Sequence, residues 1–356
     1  MILINQKRKE KNLKISDLAA QLNIDSSLMS RILSNKRKPT RKQLKKLSTI
    51  LDINYLDLMK EYLVDEVVEI LKEYPQVAQE ILCVAEERIH YLTSDDRFRV
   101  IKLSKSIERE LKTIDTLKQK WVGSKPLDQI QLKKMEEYFH TSYTYESNRI
   151  EGNTLTLQET HLVINDGITI GGKSMNEHLE AINHKEAIEL IYDLVQNMTP
   201  FNAFRIKQLH QLILKGVDSK NAGKYRTVPV RISGSTHLPP EPFLIEKMME
   251  DYFLFYETQK SNLHPVILAA EMHERLVSIH PFIDGNGRTS RLVMNLILLQ
   301  NGFTIANLKG SLENRMKYYK ALEKVQINHE NDEFYQLIIE NVKESLQEHI
   351  YLSVGT

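Results

Sequence analysis

The sequence predicts a mostly α-helical protein, in which a helical body with one β-hairpin follows a small N-terminal bundle of short helices. Three observations support this fold class. Apolar residues recur at helical spacing along most of the chain, one stretch near residue 230 alternates instead, and the first 60 residues are far more basic than the rest. A chain of 356 residues exceeds what one core usually organises, so two or three folded units are expected.

The composition excludes several classes of protein. Apolar residues make up 41% of the chain and charged residues 27%, values that favour a globular protein over a disordered one. The single cysteine, Cys83, excludes an intrachain disulfide, and the N-terminus lacks an apolar stretch of signal-peptide length. No apolar run in the motif region is long enough to cross a bilayer. We therefore expect a cytoplasmic protein without membrane contact.

The first 60 residues predict a helix-turn-helix. Lysine and arginine number 14 here against 5 aspartate and glutamate, which leaves 34 against 42 in the remainder. Two apolar sets at helical spacing lie within residues 15–22 and 28–33. Asn23 between them suits a left-handed helix end, and Ser26 suits a helix start. A third helix over residues 41–51 would complete a small bundle.

The segment SDLAAQLNIDSSLMSRILSNKRKPT resembles the phage-repressor (XRE-type) helix-turn-helix family, whose second helix enters the major groove of DNA. The resemblance implies a DNA-binding domain over residues 1–60. Small helical bundles that bind no DNA share the pattern, but the basic charge favours binding. The residues that would contact DNA are Ser26, Ser27, Ser30, Arg31, Lys36, Arg37 and Lys38.

The remainder of the chain divides into three predicted parts. Residues 61–125 form amphipathic helices without a chemical motif and are interpreted as a helical connector. Residues 126–198 and 199–345 continue the helical pattern. Residues 225–240 alternate apolar and polar side chains before a glycine, which predicts the β-hairpin. Later helices are predicted over residues 244–257, 264–279, 289–299 and 312–326.

A glycine-rich loop between two predicted helices carries the chemistry. Gly285, Asn286 and Gly287 allow a sharp turn that aims backbone N–H groups at one point, at the positive end of the following helix. Arg288 and Arg291 are three residues apart, so both lie on one face of that helix and can clamp phosphate oxygens. The pattern predicts a polyphosphate-binding site.

Two further side chains give this loop the parts of an active site. Asp284 precedes the glycines, where one carboxylate with phosphate oxygens and waters would complete the octahedral shell of Mg²⁺. His280 has an ordinary pKa near neutrality, so it can accept a proton from an attacking hydroxyl. A glycine-rich loop with a buried histidine and surface arginines is the alternative, and it explains each residue singly but not all twelve positions together.

The residues HPFIDGNGRTSR match the HxFx(D/E)GNGRxxR signature of the Fic family, and the similarity covers roughly residues 130 to 345. The resemblance implies a Fic-type helical bundle with a flap hairpin and a catalytic core over residues 199–345. It also implies a protein adenylyltransferase that moves AMP from ATP and Mg²⁺ onto Ser, Thr or Tyr hydroxyls of proteins, itself included. His280 would be the catalytic base and Asp284 the metal ligand.

The nucleotide-binding residues that this resemblance implies lie in three segments. In the motif they are Asp284, Gly285, Asn286, Gly287, Arg288, Thr289, Ser290 and Arg291. In the flap they are Ile232, Ser233, Gly234 and Ser235, and in a later helix Tyr318, Tyr319 and Gln326. Gln326 stands where close relatives have an adenine-contacting asparagine. Core packing is the alternative role for the two tyrosines.

An upstream segment resembles the inhibitory motif (S/T)xxxE(G/N) of Fic proteins that carry their inhibitor on the same chain. Ser147 and Glu151 are four apart and share a helix face, and Gly152 suits the helix end. The resemblance implies that Glu151 competes with ATP for Arg291, so the chain is autoinhibited. Removal of AMP with the help of Glu151 stays open, and control by a homodimer is expected.

Two alternatives to AMP transfer stay open. Some Fic relatives transfer UMP, phosphate or phosphocholine, although two arginines in the motif favour a triphosphate. The basic N-terminal domain also allows a DNA-binding transcription regulator whose Fic body is a nucleotide sensor. A zinc hydrolase is excluded, because His273-Glu274 lacks the second histidine of that motif.

Overall fold

The computed structural model describes residues 2–93, 100–124 and 128–354, which form two compact units, Met1–Thr93 and Ser94–Thr356. The described residues form sixteen α-helices and no β-strand. The mostly α-helical class is thus confirmed. The predicted boundary at residues 125 and 126 lies outside the described residues. None of the helices in the described ranges is both long enough and apolar enough to span a bilayer.

The first unit contains the predicted small helical bundle of residues 1–60 and continues to Thr93, into the predicted connector of residues 61–125. Its helices are α1 (Ile2–Glu10), α2 (Ile15–Leu22), α3 (Ser26–Leu33), α4 (Arg41–Leu51), α5 (Tyr55–Leu71) and α6 (Ala78–Thr93). Asn23 ends α2 in the left-handed conformation, with φ 57° and ψ 48°, as the sequence predicts. The N-cap of α3 is Asp25, however, and Ser26 is the first helical residue. Apolar side chains from α1 to α5, mostly leucine and isoleucine, fill a single core.

The second unit is the larger helical body. Its helices are α7 (Lys105–Gly123), α8 (Gln129–Ile150), α9 (Leu157–Asn165), α10 (Met175–Gln196), α11 (Ala203–Ile213), α12 (Ile245–Gln259), α13 (Pro265–Ile279), α14 (Asn286–Gln300), α15 (Leu312–Asn328) and α16 (Asp332–Val354). Helices α13 and α14 pack together at the centre, and twelve of the fifteen residues of α14 are buried. The loop that joins these two helices is therefore held by the core itself.

The β-hairpin predicted for residues 225–240 is not confirmed. These residues form no strand, and a turn lies at Gly234, whose φ is 79°. Proline at position 229 removes a backbone N–H from the middle of the predicted first strand. The guanidinium of Arg226 also takes the carbonyls of Val228 and Pro240, which a strand ladder would otherwise use.

Buried neutral histidines make the second unit sensitive to acid. Burial lowers the pKa of His140 to about 4 and of His273 to about 3, and it lowers the pKa of His184 well below the usual range. These histidines gain protons first in the unfolded chain, whose ordinary value is near 6.5. Stability is therefore complete above that pH and is lost as the pH falls towards the lowered native values.

We predict that the second unit loses about 1 kcal/mol of unfolding free energy for each of these histidines between pH 7.5 and pH 5.5. Trp121, the one tryptophan of the chain, is buried in this unit, so its fluorescence reports the unfolding transition. Denaturant titrations at both pH values measure the change. An unchanged Trp121 midpoint would show that these histidines are not neutral in the folded chain.

Candidate active site

The loop between α13 and α14 holds a fixed backbone turn. His280 ends α13 in the left-handed conformation, with φ 49° and ψ 56°, and Gly285 precedes α14 with φ 74°. The Asn286 side chain closes the turn from inside. Its Oδ1 accepts from the N–H of Phe282 at 3.0 Å, and its Nδ2 donates to the carbonyl of Phe282 at 2.9 Å. Backbone groups of this loop are thus oriented before any ligand arrives.

His210 on α11 supports the same loop from behind. Its ring stacks on Phe282 at a centroid distance of 3.6 Å. Nδ1 accepts from the N–H of Gly223 at 2.9 Å, so Nε2 carries the proton that it donates to the carbonyl of Asp284 at 2.8 Å. His210 does not stand out in the sequence, because its spacing to the motif residues carries no signal.

His280 has the protonation state of a general base. Nδ1 lies 3.3 Å from the carbonyl oxygen of Val277, to which it donates, and this leaves the lone pair on Nε2. Burial lowers the pKa of His280 to about 4, although the contact with Val277 opposes the shift. The imidazole is therefore neutral near pH 7 and ready to accept a proton.

Arg291 is held by the predicted inhibitory helix. Its side chain is 1% exposed, and Nε donates to Ser147 Oγ at 3.0 Å while Nη2 donates to the carbonyl of Ser147 at 3.0 Å. Nη2 also lies 2.6 Å from Glu151 Oε1. Burial alone would raise the pKa of Glu151, but the guanidinium groups of Arg291 and Arg288 outweigh it and lower that pKa. The pair is therefore ionised at neutral pH.

The Glu151 carboxylate rests on the start of α14. A β-carbon added to Gly287 would overlap Glu151 Oε1 and would lie 3.1 Å from Arg291 Nη1. The sequence interpretation assigned both glycines to the sharp turn, and here it needs a correction. Gly285 has the positive φ that favours glycine, whereas Gly287 is helical and is small because a carboxylate packs against it. Gly152, with φ 98°, ends the segment that presents Glu151.

Arg288 is engaged by two carboxylates. Nη1 lies 3.1 Å from Glu180 Oε1 on α10, and Nη2 lies 3.5 Å from Asp284 Oδ2. Glu180 also accepts from Asn153 Nδ2 at 3.0 Å, so the segment after Glu151 contacts this arginine's partner. Neither Glu180 nor Asn153 stood out in the sequence, since no motif spacing links them to the loop.

Asp284 is the carboxylate that a metal could use. Its side chain is 63% exposed, and Oδ1 accepts from the N–H of Gly285 at 2.6 Å. Within the described ranges no three acidic, histidine or cysteine side chains converge on a metal-sized site. This arrangement fits Mg²⁺, which keeps several waters and takes one carboxylate together with phosphate oxygens. It does not fit a metal that needs an all-protein shell.

The predicted adenosine residues on α15 differ in accessibility. Tyr318 is buried, and its hydroxyl lies 2.8 Å from His273 Nε2. Tyr319 is 42% exposed and donates to the carbonyl of Ile150 at 3.2 Å, directly before Glu151. Gln326 Nε2 donates to Ser278 Oγ at 3.1 Å. Tyr319 and Gln326 are thus the two residues of this set that the fold leaves partly open.

Other predicted nucleotide residues lie at the edges of the site. Thr289 and Ser290 are fully buried. The N–H of Thr289 donates to the carbonyl of Gly285 at 2.9 Å, and Ser290 Oγ donates to the carbonyl of Gly287 at 2.9 Å, so the fold itself engages these donors of both residues. The flap residues form a turn, in which the N–H of Ser235 donates to the carbonyl of Ile232 at 3.2 Å. The two residues at the tip of that turn, Ser233 and Gly234, are exposed.

The predicted DNA-contacting residues form an exposed surface on the first unit. Every one of these side chains is exposed: Ser26, Ser27, Ser30 and Arg31 lie on α3, and Lys36, Arg37 and Lys38 follow it. Met29, Ile32 and Leu33 point the other way into the core. Lys38 also lies 3.7 Å from Glu66 Oε1, so its charge is partly compensated within the unit.

Two family profiles match the chain, one in each unit. Residues 200–298 match the Fic/DOC family, and residues 4–58 match a helix-turn-helix family. The chain therefore carries a Fic/DOC domain and, before it, a helix-turn-helix domain, as the sequence motifs indicate.

The chain is also similar to named relatives and to solved structures. The chain is 35% identical over 239 residues to the protein adenylyltransferase Fic of Nematostella vectensis, covering 66% of this chain and 54% of that protein. It is 37% identical over 191 residues to the same-named protein of Drosophila grimshawi, covering 53% of this chain and 38% of that protein. The chain thus spans about half or less of the length of these relatives.

Two solved structures share the fold. A Fic-domain-containing signaling protein of Bacteroides thetaiotaomicron has a TM-score of 0.63 and 28% identity, covering 68% of this chain and 98% of its own. Fic-1 of C. elegans has a TM-score of 0.62 and 23% identity, covering 95% of this chain and 96% of its own. The second likeness concerns the fold alone.

Proposed function

We propose that this chain is a protein adenylyltransferase that transfers AMP from ATP to hydroxyl groups of proteins, itself included. The observation that carries the proposal is one loop, closed by Asn286, that holds a neutral His280 before the N-terminus of α14 and its two arginines. Relatives with 35–37% identity bear the name protein adenylyltransferase Fic.

The proposed reaction uses these groups in sequence. His280 Nε2 takes the proton of a Ser, Thr or Tyr hydroxyl while that oxygen attacks the α-phosphorus of ATP. The bond between the α-phosphorus and the oxygen that bridges to the β-phosphorus breaks, and pyrophosphate leaves. Gly285, Asn286 and Gly287 would bind the phosphates, with Arg288 and Arg291 on the β and γ groups. Mg²⁺ on Asp284 would neutralise charge on the leaving group.

We further propose that the resting chain is inhibited by Glu151. The carboxylate occupies Arg291 and covers Gly287, where the γ-phosphate and its amide contacts would otherwise lie. ATP would then bind weakly or in a pose unsuited to in-line attack. A homodimer and the removal of AMP with Glu151 belong to the same proposal, as does a cytoplasmic location.

The position of a radioactive label separates AMP transfer from the other reactions of this site. Purified Glu151→Gly chain is incubated with a bacterial lysate and ATP labelled on the α- or the γ-phosphate. Retention of the α-label alone on protein supports AMP transfer, and retention of the γ-label contradicts it. Excess unlabelled UTP or CDP-choline tests the other donors. Mass spectrometry of labelled bands then identifies the target and its residue.

The exposed surface on α3 supports a second proposed activity, binding to DNA. Its side chains have the chemistry of a recognition helix flanked by phosphate-binding lysines. A regulator whose Fic domain only senses nucleotide is the alternative to an enzyme. That alternative gains if the Glu151→Gly chain labels neither itself nor lysate proteins.

We predict that Arg37→Ala weakens binding to a random-sequence duplex and lowers the slope of affinity against salt by about 1, because one phosphate contact is lost. Fluorescence anisotropy over a salt series measures both. Lys72→Ala is the matched control, since Lys72 pairs with Glu69 on the same unit. Equal slopes for Arg37→Ala and the parent chain would remove Arg37 from the proposed surface.

A further inference from the structure

Arg226, which follows α11, makes contacts that no motif predicts. Arg226 is 3% exposed, and each of the three nitrogen atoms of its guanidinium donates to a backbone carbonyl. Nε donates to the carbonyl of His280 at 2.8 Å, Nη1 to that of Val228 at 3.0 Å and Nη2 to that of Pro240 at 2.5 Å. The backbone N–H of Arg226 also donates to the carbonyl of Pro281 at 2.8 Å.

A buried guanidinium in this setting needs a reason. Burial lowers the pKa of Arg226, and within the described ranges no carboxylate forms an ion pair with it. Carbonyl oxygens therefore supply the whole hydrogen-bonded shell of the charge, which a buried cation requires. An uncharged side chain would fill the same space at lower cost. The charged side chain of Arg226 is therefore explained by its hydrogen bonds to these three carbonyls.

The carbonyls that Arg226 binds belong to two parts of the site. Val228 and Pro240 lie at the two ends of the flap, residues 227–240, and His280 is the proposed base. His280 adopts φ 49°, which a residue with a β-carbon rarely adopts without support. A hydrogen bond to its carbonyl fixes the peptide plane on one side of that turn. Rotation of this peptide would displace the imidazole from the attacking hydroxyl.

We propose that Arg226 is a positioning residue that joins the flap to His280, so that a protein substrate held by the flap and the base that deprotonates it keep one geometry. This inference rests on the proposed AMP transfer. Lysine cannot replace this function, since an ammonium group lacks the planar fork that reaches three carbonyls. Nucleotide contacts are untouched, because Arg226 binds none of the motif residues from Asp284 to Arg291.

The kinetic test compares two arginine variants in the Glu151→Gly chain. Arg226→Lys should lower kcat for AMP transfer about 10- to 100-fold, the effect expected of a small misplacement, and leave the dissociation constant for ATP within about twofold. Arg275→Lys is the matched control, because Arg275 is a partly buried arginine bound to Glu271 on α13. Its kcat should stay within about twofold of the parent. An unchanged kcat in Arg226→Lys overturns the inference.

A second readout does not depend on activity. The Cε1–H signal of His280 is assigned in the otherwise wild-type chain by comparison with His280→Ala. Arg226→Lys should shift or broaden that signal, and Arg275→Lys should not. If the parent Glu151→Gly chain transfers no AMP, the proposed function fails while this signal still decides the role of Arg226. An unmoved His280 signal contradicts it.

Folding is monitored in every variant by Trp121 emission and thermal melting. If Arg226→Lys does not fold, Arg226→Gln takes its place in both measurements. If neither folds, Arg226 holds the fold rather than the geometry of His280, and the inference is rejected.

Discussion

In the Glu151→Gly chain, His280→Ala is expected to lower the rate of AMP transfer by about 10²- to 10⁴-fold. The imidazole is the proposed base for the hydroxyl proton, and its lone pair on Nε2 follows from the contact of Nδ1 with the carbonyl of Val277. Initial rates with α-labelled ATP measure the loss.

The control for this prediction is a histidine at the other end of the same helix. His264 is the N-cap of α13, where its ring nitrogen accepts from the N–H of Val266. His264→Ala removes a cap and about 1 kcal/mol of stability, but it leaves the loop alone. Its rate should match the parent. A His280→Ala rate within tenfold of the parent would assign proton removal to another group.

The second large effect is expected for Glu151→Gly itself, which should raise the rate of pyrophosphate release about 5- to 150-fold over wild type. The substitution removes the carboxylate that lies 2.6 Å from Arg291 Nη2, so the guanidinium of Arg291 becomes available to bind a nucleotide. Coupling energies of about 1 to 3 kcal/mol between two sites give this range. A continuous pyrophosphate assay measures the rate.

A rate increase caused by loss of the Glu151 carboxylate must be distinguished from one caused by a less stable helix α8. Glu136 lies earlier on α8, where its side chain is exposed. Glu136→Gly puts the same substitution into the helix interior and costs about 1 kcal/mol of helix stability. Its rate should equal that of wild type. A comparable gain in Glu136→Gly would attribute inhibition to the rigidity of α8 rather than to the Glu151–Arg291 pair.

The sequence predicted the parts of the fold that local patterns govern. The helices around the motif agree within three residues at each end, and α14 begins at Asn286 because Gly285 can adopt the positive φ before it. Apolar spacing likewise predicted α2, α3 and α4. The hairpin is not confirmed, because alternation alone does not show whether other groups, here Arg226 and Pro229, take the positions of a ladder.

Within the site, the sequence predicted the residues that form one contiguous motif, and it missed the residues that tertiary packing brings there. Ser147, Glu151 and Arg291 meet as the motifs imply. Glu180 and His210 are distant in sequence from the loop, and each contacts it through one side chain that no periodicity marks. A buried polar residue beside a glycine turn is visible only once the helices are packed.

The measurement that tests the central claim most directly is the intact mass of the purified protein after incubation with ATP and Mg²⁺. We predict an added AMP on Glu151→Gly, little or none on wild type, and none on the Glu151→Gly, His280→Ala double variant. Equal modification of wild type and Glu151→Gly would contradict inhibition through Arg291. Modification of the double variant would contradict the assignment of His280 as the base.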